Sequence, residues 1–199
     1  MRHFTRLAVA LAATVLALPA SAAKIVFFTT MDGPSESPPV ASPGTGWARV
    51  TFDDVALTMK VQAMFEDLVG NTTVAHIHCC TKEEEPGVGT VGVATQPGTF
   101  LGWPAGVTSG SYKKEFDMNV VASYTGGFLA TNGGTPAGAF AGLLAGLEAG
   151  RGYFNVHTRF APGGEIRGFL VRVPEPGSLI LIGLGLVIVA LATRRRRAD

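Results

Sequence analysis

The chain has little of what most chemistry requires. Among 199 residues only two are cysteine and four are histidine. No Gly-x-Ser-x-Gly elbow occurs, and no Ser/His/Asp set can be singled out. The glycine-rich stretches Gly126-Gly127 and Gly133-Gly134 lack the Gly-Lys-Ser/Thr of a phosphate loop and read as turns. A basic patch is missing too. From Lys24 to Val173 there are 10 basic and 13 acidic residues, a net of −3, because six of the chain's sixteen basic residues lie in its terminal segments. An acidic body argues against nucleic acid or anionic lipid as a partner. No repeat of about 20–50 residues is visible, and no apolar run reaches the ~20 residues of an ordinary membrane span.

What is present is concentrated at the ends. Residues Val173-Pro174-Glu175-Pro176-Gly177 precede an apolar run from Leu179 to Ala192, and Arg194-Arg195-Arg196-Arg197 follow it. The run is 14 residues long, at the short edge of what crosses a hydrocarbon core of roughly 30 Å. The arginines predict that the chain stops there with its end in the cytoplasm. Box, short span and basic tail in this order resemble the PEP-CTERM sorting signal of Gram-negative bacteria. That resemblance implies processing by an exosortase in the inner membrane near Pro174, Glu175 and Pro176. A plain tail anchor is the alternative. At the other end, Arg2, His3 and Arg6 open a segment that is apolar from Leu7 to Leu18 and closes with Ala20-Ser21-Ala22. This predicts a secretory signal peptide, cut by signal peptidase. The chain then divides into a signal peptide (1–22), one domain (23–173) and a sorting tail (174–199).

The domain reads as mainly β. Trp47–Phe52 and Val55–Phe65 alternate, with Val55, Leu57, Met59, Val61 and Ala63 predicted on the buried face. Asp53-Asp54 between them predicts a tight hairpin. Further strands are expected at Thr72–His78, Gly110–Met118, Gly152–Thr158 and Glu165–Val173, the last two joined around Ala161-Pro162-Gly163-Gly164. Phe140, Leu143, Leu144 and Leu147 recur at helical spacing within Thr135–Ala149, which predicts one short helix. The stretches 86–110 and 126–138 are expected to be long loops. The sum is an antiparallel β-sandwich with one helical excursion.

Several blocks resemble the CHRD domain, a family named for repeats in chordin. Met31-Asp32-Gly33 through Glu36-Ser37-Pro38-Pro39-Val40 and Gly46 look like its opening. Ala75-His76-Ile77-His78 matches its central signature. Gly152-Tyr153-Phe154-Asn155-Val156-His157-Thr158 and Pro162-Gly163-Gly164-Glu165-Ile166-Arg167-Gly168 match its close. In bacteria the family occurs as exported single domains without an established activity, so the resemblance implies a fold and an address more than a task. Cys79-Cys80 departs from the pattern, where the family often has glycine.

His76 and His78 are two apart and share a strand face, and His157 lies on a later strand. Three converging imidazoles would suit copper or zinc. The order of these strands is also similar to the copper half of Cu/Zn superoxide dismutases, a β-sandwich of like size. No fourth histidine bridges two metals, however, so dismutation is not implied. The alternative is a hydrogen-bonded polar cluster that ties two strands together. Strand alternation would put Cys80 on the histidine face as a fourth ligand; a disulfide between adjacent cysteines and intermolecular bridges stay open. Glu165 and Arg167 are expected as an ion pair near the rings, with Glu165 or Asn155 holding an outer ring nitrogen. The run Glu83-Glu84-Glu85 reads as a solvated loop.

Two functions follow as expectations. One is an exported, non-enzymatic surface or extracellular-matrix protein, anchored transiently in the inner membrane and associated with exopolysaccharide. The other is a periplasmic or surface copper-type metal-binding protein using His76, His78 and His157.

Overall fold

The computed structural model describes residues 24–82, 87–174, 185 and 188. The signal peptide, the tail beyond Pro174 apart from residues 185 and 188, and the run Glu83–Glu85 therefore lie outside the described residues, and no described helix is long and apolar enough to cross a membrane.

The element order is β1 (Ile25–Asp32), β2 (Thr45–Asp53), β3 (Thr58–Glu66), β4 (Thr72–Cys79), β5 (Gly110–Asp117), α1 (Gly126–Thr131), α2 (Pro136–Glu148), β6 (Gly152–Thr158), β7 (Ile166–Phe169) and β8 (Val171–Val173). All strand pairs are antiparallel. They form one sheet in the order β4-β6-β7-β1-β2-β3-β5, with β8 also on β1. The join between the two halves is narrow, since β7 and β1 share only the pair Asp32↔Arg167. The sheet curls at that seam, and the two halves face each other as the layers of the expected sandwich do.

Aromatic side chains fill the space between the layers. Phe100 stacks on Phe154 of β6 at 5.4 Å and meets Phe116 of β5 at 5.6 Å. Trp103 lies 5.3 Å from Phe65 of β3 and 5.9 Å from Phe154. Both come from the segment expected as a loop, which is thus also a core donor. Fully buried Phe and Trp rings are worth several kcal/mol each when truncated.

Helix α2 has the predicted place, and the structure adds its caps. The Thr135 hydroxyl accepts from the Gly138 N–H and Pro136 stands at the first helical position. Phe140, Leu143 and Leu147 are buried, and Phe140 packs edge-on against Phe52 of β2 at 5.8 Å. The second helix, α1, lies inside the expected loop 126–138; Thr125 caps it by accepting from the Phe128 N–H.

Three features of the sheet depart from the sequence expectation. Val55 is exposed and Leu57 takes a positive φ of 51°. The connection β2–β3 is a four-residue turn over 54–57, with Asp53 paired to Thr58, and the Asp53 carboxylate accepts from the Val55 and Ala56 N–H groups. Met59, Val61 and Ala63 are buried as the alternation requires. The second correction is β1, which sits near the middle of the sheet although its run Val26-Phe27-Phe28 shows no alternation of polar and apolar residues. Finally, the expected last strand is split by buried Leu170 into β7 and β8.

Candidate functional site

Strands β4 and β6 break the rule that one sheet face is wet. Every residue of β6 is buried, and so are Ala75 to Cys79 of β4. Their inner face carries Ala75, Ile77, Phe154 and Val156 in the hydrophobic core. Their outer face carries His76 and His78 opposite Asn155 and Tyr153, with His157 one step diagonal to His76. Loops cover this polar layer: the Val91 and Pro162 carbonyls accept hydrogen bonds from His78 and His157, and the Ser35 and Gly89 carbonyls accept from Arg167 on neighbouring β7.

The three histidines converge as the sequence pattern predicts. They are 6–9% exposed, and one ring nitrogen from each lies within 4.8 Å of the others. His76 Nε2 and His157 Nε2 are 2.9 Å apart. The partners assign the tautomers. His157 Nδ1 is 2.9 Å from the Pro162 carbonyl and His78 Nδ1 is 2.7 Å from the Val91 carbonyl. A carbonyl can only accept, so both Nδ1 atoms carry the proton and both Nε2 atoms present a lone pair inward. His76 Nε2 must then donate to His157 Nε2. His78 Nε2 and His76 Nδ1 are buried without a hydrogen-bond partner.

Electrostatics keep the rings neutral. Burial, with the neighbouring His157 and His78 adding to it, pushes His76 down to about 3. Burial also takes His78 to about 4 against the opposing Val91 carbonyl, and lowers His157. Neutral imidazoles are the ligating form.

Around them the structure departs from expectation. Asn155 and Glu165 hold no outer ring nitrogen; backbone carbonyls do, which no side-chain pattern could reveal. Glu165 and Arg167 are not paired. Glu165 is fully buried and accepts from the Ser42 and Thr158 hydroxyls at 2.7 and 2.6 Å and from the Val69 and Gly70 N–H groups at 2.6 and 3.1 Å. Burial alone would raise its pKa, but these four donors hold it below the ordinary value. Arg167 instead stands 3.7 Å from Glu36 and lies over the Tyr153 ring, which stacks on His78 at 4.7 Å. Burial outweighs Arg167 at Glu36 and pushes its carboxyl up to about 7. Glu36 and Tyr153 belong to blocks visible in the sequence but carried no spacing signal as neighbours of the histidines.

Cys80 is not a fourth ligand. Strand β4 ends at Cys79, whose side chain joins the core on the side opposite the histidines. Cys79 and Cys80 form a disulfide, and it packs against α2. A Cβ at Gly146 would overlap both sulfurs, so the helix approaches there only because that residue is glycine. Pro174, the one described residue of the processing box, is exposed just after β8.

Comparison with known proteins agrees with this organisation. The CHRD domain family matches residues 27–170 and the PEP-CTERM protein-sorting motif matches residues 172–197. No curated protein and no solved structure matches the chain. A domain match over most of the chain, followed directly by the sorting motif, settles its membership: the chain belongs to the CHRD domain family and is an exported protein, made as a membrane-anchored precursor and sorted by exosortase.

Proposed function

We propose that this protein is a non-enzymatic component of the cell surface whose domain holds one copper or zinc ion on His76, His78 and His157. The observation that carries this reading is the buried triad itself. Three neutral imidazoles offer nitrogens within 4.8 Å, and His78 Nε2, with its proton fixed on the opposite nitrogen, points a lone pair at no partner. A buried lone pair without a donor costs about 1–3 kcal/mol. A purely structural cluster would be expected to satisfy it.

The fit to a metal is close but not complete. Nitrogens bonded at ~2.0–2.1 Å to one tetrahedral ion stand about 3.3 Å apart. His78 therefore moves inward by about 1.5 Å on binding, and the proton between His76 and His157 shifts to His76 Nδ1, which is free to take it. Carbonyl partners on His78 and His157 supply the orienting outer contacts that metal-bound imidazoles use. An all-nitrogen set with no thiolate favours Cu(II) or Zn(II) over Cu(I).

Titration of the domain with Cu(II) and Zn(II), by calorimetry and by metal content after dialysis, tests the reading. One equivalent should bind, and His76→Ala and His157→Ala should each weaken it at least 100-fold. Equal binding by all three proteins, at micromolar affinity or weaker, would leave only a polar cluster joining two strands.

A further inference from the structure

The outer face of the other half-sheet is built the opposite way. By the strand register, Val171 of β8 stands beside Phe28 of β1, and Trp47 of β2 lies between Thr30 of β1 and Met64 of β3. Phe28 and Trp47 stack with ring centroids 6.3 Å apart. Phe28 is 40% exposed, Met64 38%, Val171 65% and Val173 39%. These side chains make one apolar strip across four strands, and no described element covers it. Contiguous exposed apolar surface marks an interaction site, and a tryptophan at its centre fits the boundary between lipid headgroups and acyl chains.

We propose that in the anchored precursor this strip rests on the bilayer, with Trp47 and Phe28 at the headgroup–acyl boundary. The position of the tail selects this occupant. Val173 ends the strand that forms one edge of the strip, and the apolar run of the sorting motif begins at Leu179. The six steps from Val173 to Leu179 reach at most about 20–22 Å. Trp47 lies roughly 16 Å from Val173, four residues along β1 and two strand spacings across. The domain is thus tethered by the rim of its own apolar face, on a leash short enough to keep the whole strip near the bilayer. The apolar strip is bordered by an exposed cation, Arg49, which stands opposite Phe28 in the register; with the domain acidic as a whole, the attraction comes mainly from apolar burial and not from anionic headgroups. The same placement turns the histidine layer, on the outside of the opposite half-sheet, away from the membrane. The inference needs the anchored precursor alone and stands or falls independently of metal binding.

Trp47 reports it directly. The chain has two tryptophans, and Trp103 is buried between the layers as an internal control. The full chain is reconstituted in phosphatidylcholine vesicles with or without phospholipid brominated near the headgroup end of the acyl chain. The Trp47 signal is the difference between wild type and Trp47→Phe. We expect at least twofold quenching of that signal by the brominated lipid, little change on adding anionic lipid, and loss of quenching in the double variant Phe28→Glu/Val171→Lys. An unquenched Trp47 overturns the proposal. So does quenching that survives the double variant, because tethering alone would then explain it. An unquenched Trp47 whose emission shifts with a soluble polysaccharide also overturns it, and assigns the strip to glycan instead.

Discussion

The two outward faces of the curled sheet invert each other. On β4 and β6 the outward residues are polar and buried: His76, His78, Asn155 and His157 lie under loops that carry Ser35, Gly89, Val91 and Pro162. On β8, β1, β2 and β3 the outward residues include Val171, Phe28, Trp47 and Met64, and nothing described covers them. Water would stabilise the first set and the core would stabilise the second. Each face therefore carries a local cost, and such costs are retained mainly where something outside the fold offsets them. For the buried polar face the proposed partner is an ion; for the exposed apolar face the proposed partner is a membrane. The inner surfaces of the same strands, with Ile77, Phe154, Val61 and Phe65, obey the ordinary rule.

The largest expected effect is the response of the polar face to acid. Burial holds His76 at about 3 and His78 at about 4 in the folded protein, against about 6.5 in the unfolded chain. Above pH 6.5 both states bind no proton on these rings, so their stability contribution is constant. Between pH 6.5 and about 4 the unfolded chain takes up protons that the folded one refuses, and stability falls. With 1.36 kcal/mol per unit, the loss should be on the order of 3 kcal/mol for each histidine held at or below about 4. Urea unfolding of the domain as a function of pH checks this. A curve flat from pH 6.5 to 4 would mean that the rings are solvated and the polar face is not closed.

A loss of similar or slightly smaller size should follow Glu165→Ala. The carboxylate ties Ser42, Val69, Gly70 and Thr158 to the start of β7, and its removal strands four donors, of which those of Gly70 and Thr158 are buried. We expect about 3 kcal/mol, read as a lower urea midpoint at unchanged slope. Glu165→Gln should recover part of it, since an amide oxygen still accepts.

Metal should act in the opposite direction. Zn(II) at 100 times its dissociation constant should stabilise the domain by about 2.7 kcal/mol and leave His157→Ala unaffected in the same thermal scan. Because the folded rings resist protonation, binding should persist at pH 5, well below the ordinary histidine pKa. Loss of binding already at pH 6 would show that the rings titrate as exposed imidazoles do.

How much of this was legible in the sequence follows from which residues announce themselves. His76 and His78 share a face by strand periodicity alone, and α2 is spelled out by the spacing of Phe140, Leu143, Leu144 and Leu147. Convergence with His157 needed only that β4 and β6 be neighbours. What could not be read was of two kinds. Partners supplied by backbone, such as the Val91 and Pro162 carbonyls, leave no trace in residue type. Strand β1 and the core role of Phe100 and Trp103 were hidden for another reason: a central strand and an inward-folded loop lack the polar alternation that marks a half-wet strand. Cys80 failed as a ligand because β4 stops one residue short of it, and strand ends are where periodicity arguments lose their footing.

The smallest expected effect lies on the apolar face, and its smallness is the point. Phe28→Ser and Trp47→Ser remove an exposed and a half-buried ring from strands whose inner residues stay packed, so little core area is lost from the fold. The stacked pair contributes on the order of 0.5–1 kcal/mol as a cross-strand contact. The serine variants should therefore lie within about 1 kcal/mol of wild type in urea, far below the effect of Glu165→Ala. The detached domain should meanwhile become more soluble, because an exposed apolar strip is broken. Equilibrium unfolding and the concentration at which the domain begins to self-associate measure the two quantities separately. If either serine variant instead costs 3 kcal/mol or more, the rings belong to the core of the domain. The strip would then not be a surface held ready for a membrane, and the contrast between the two faces would collapse to a single buried polar site.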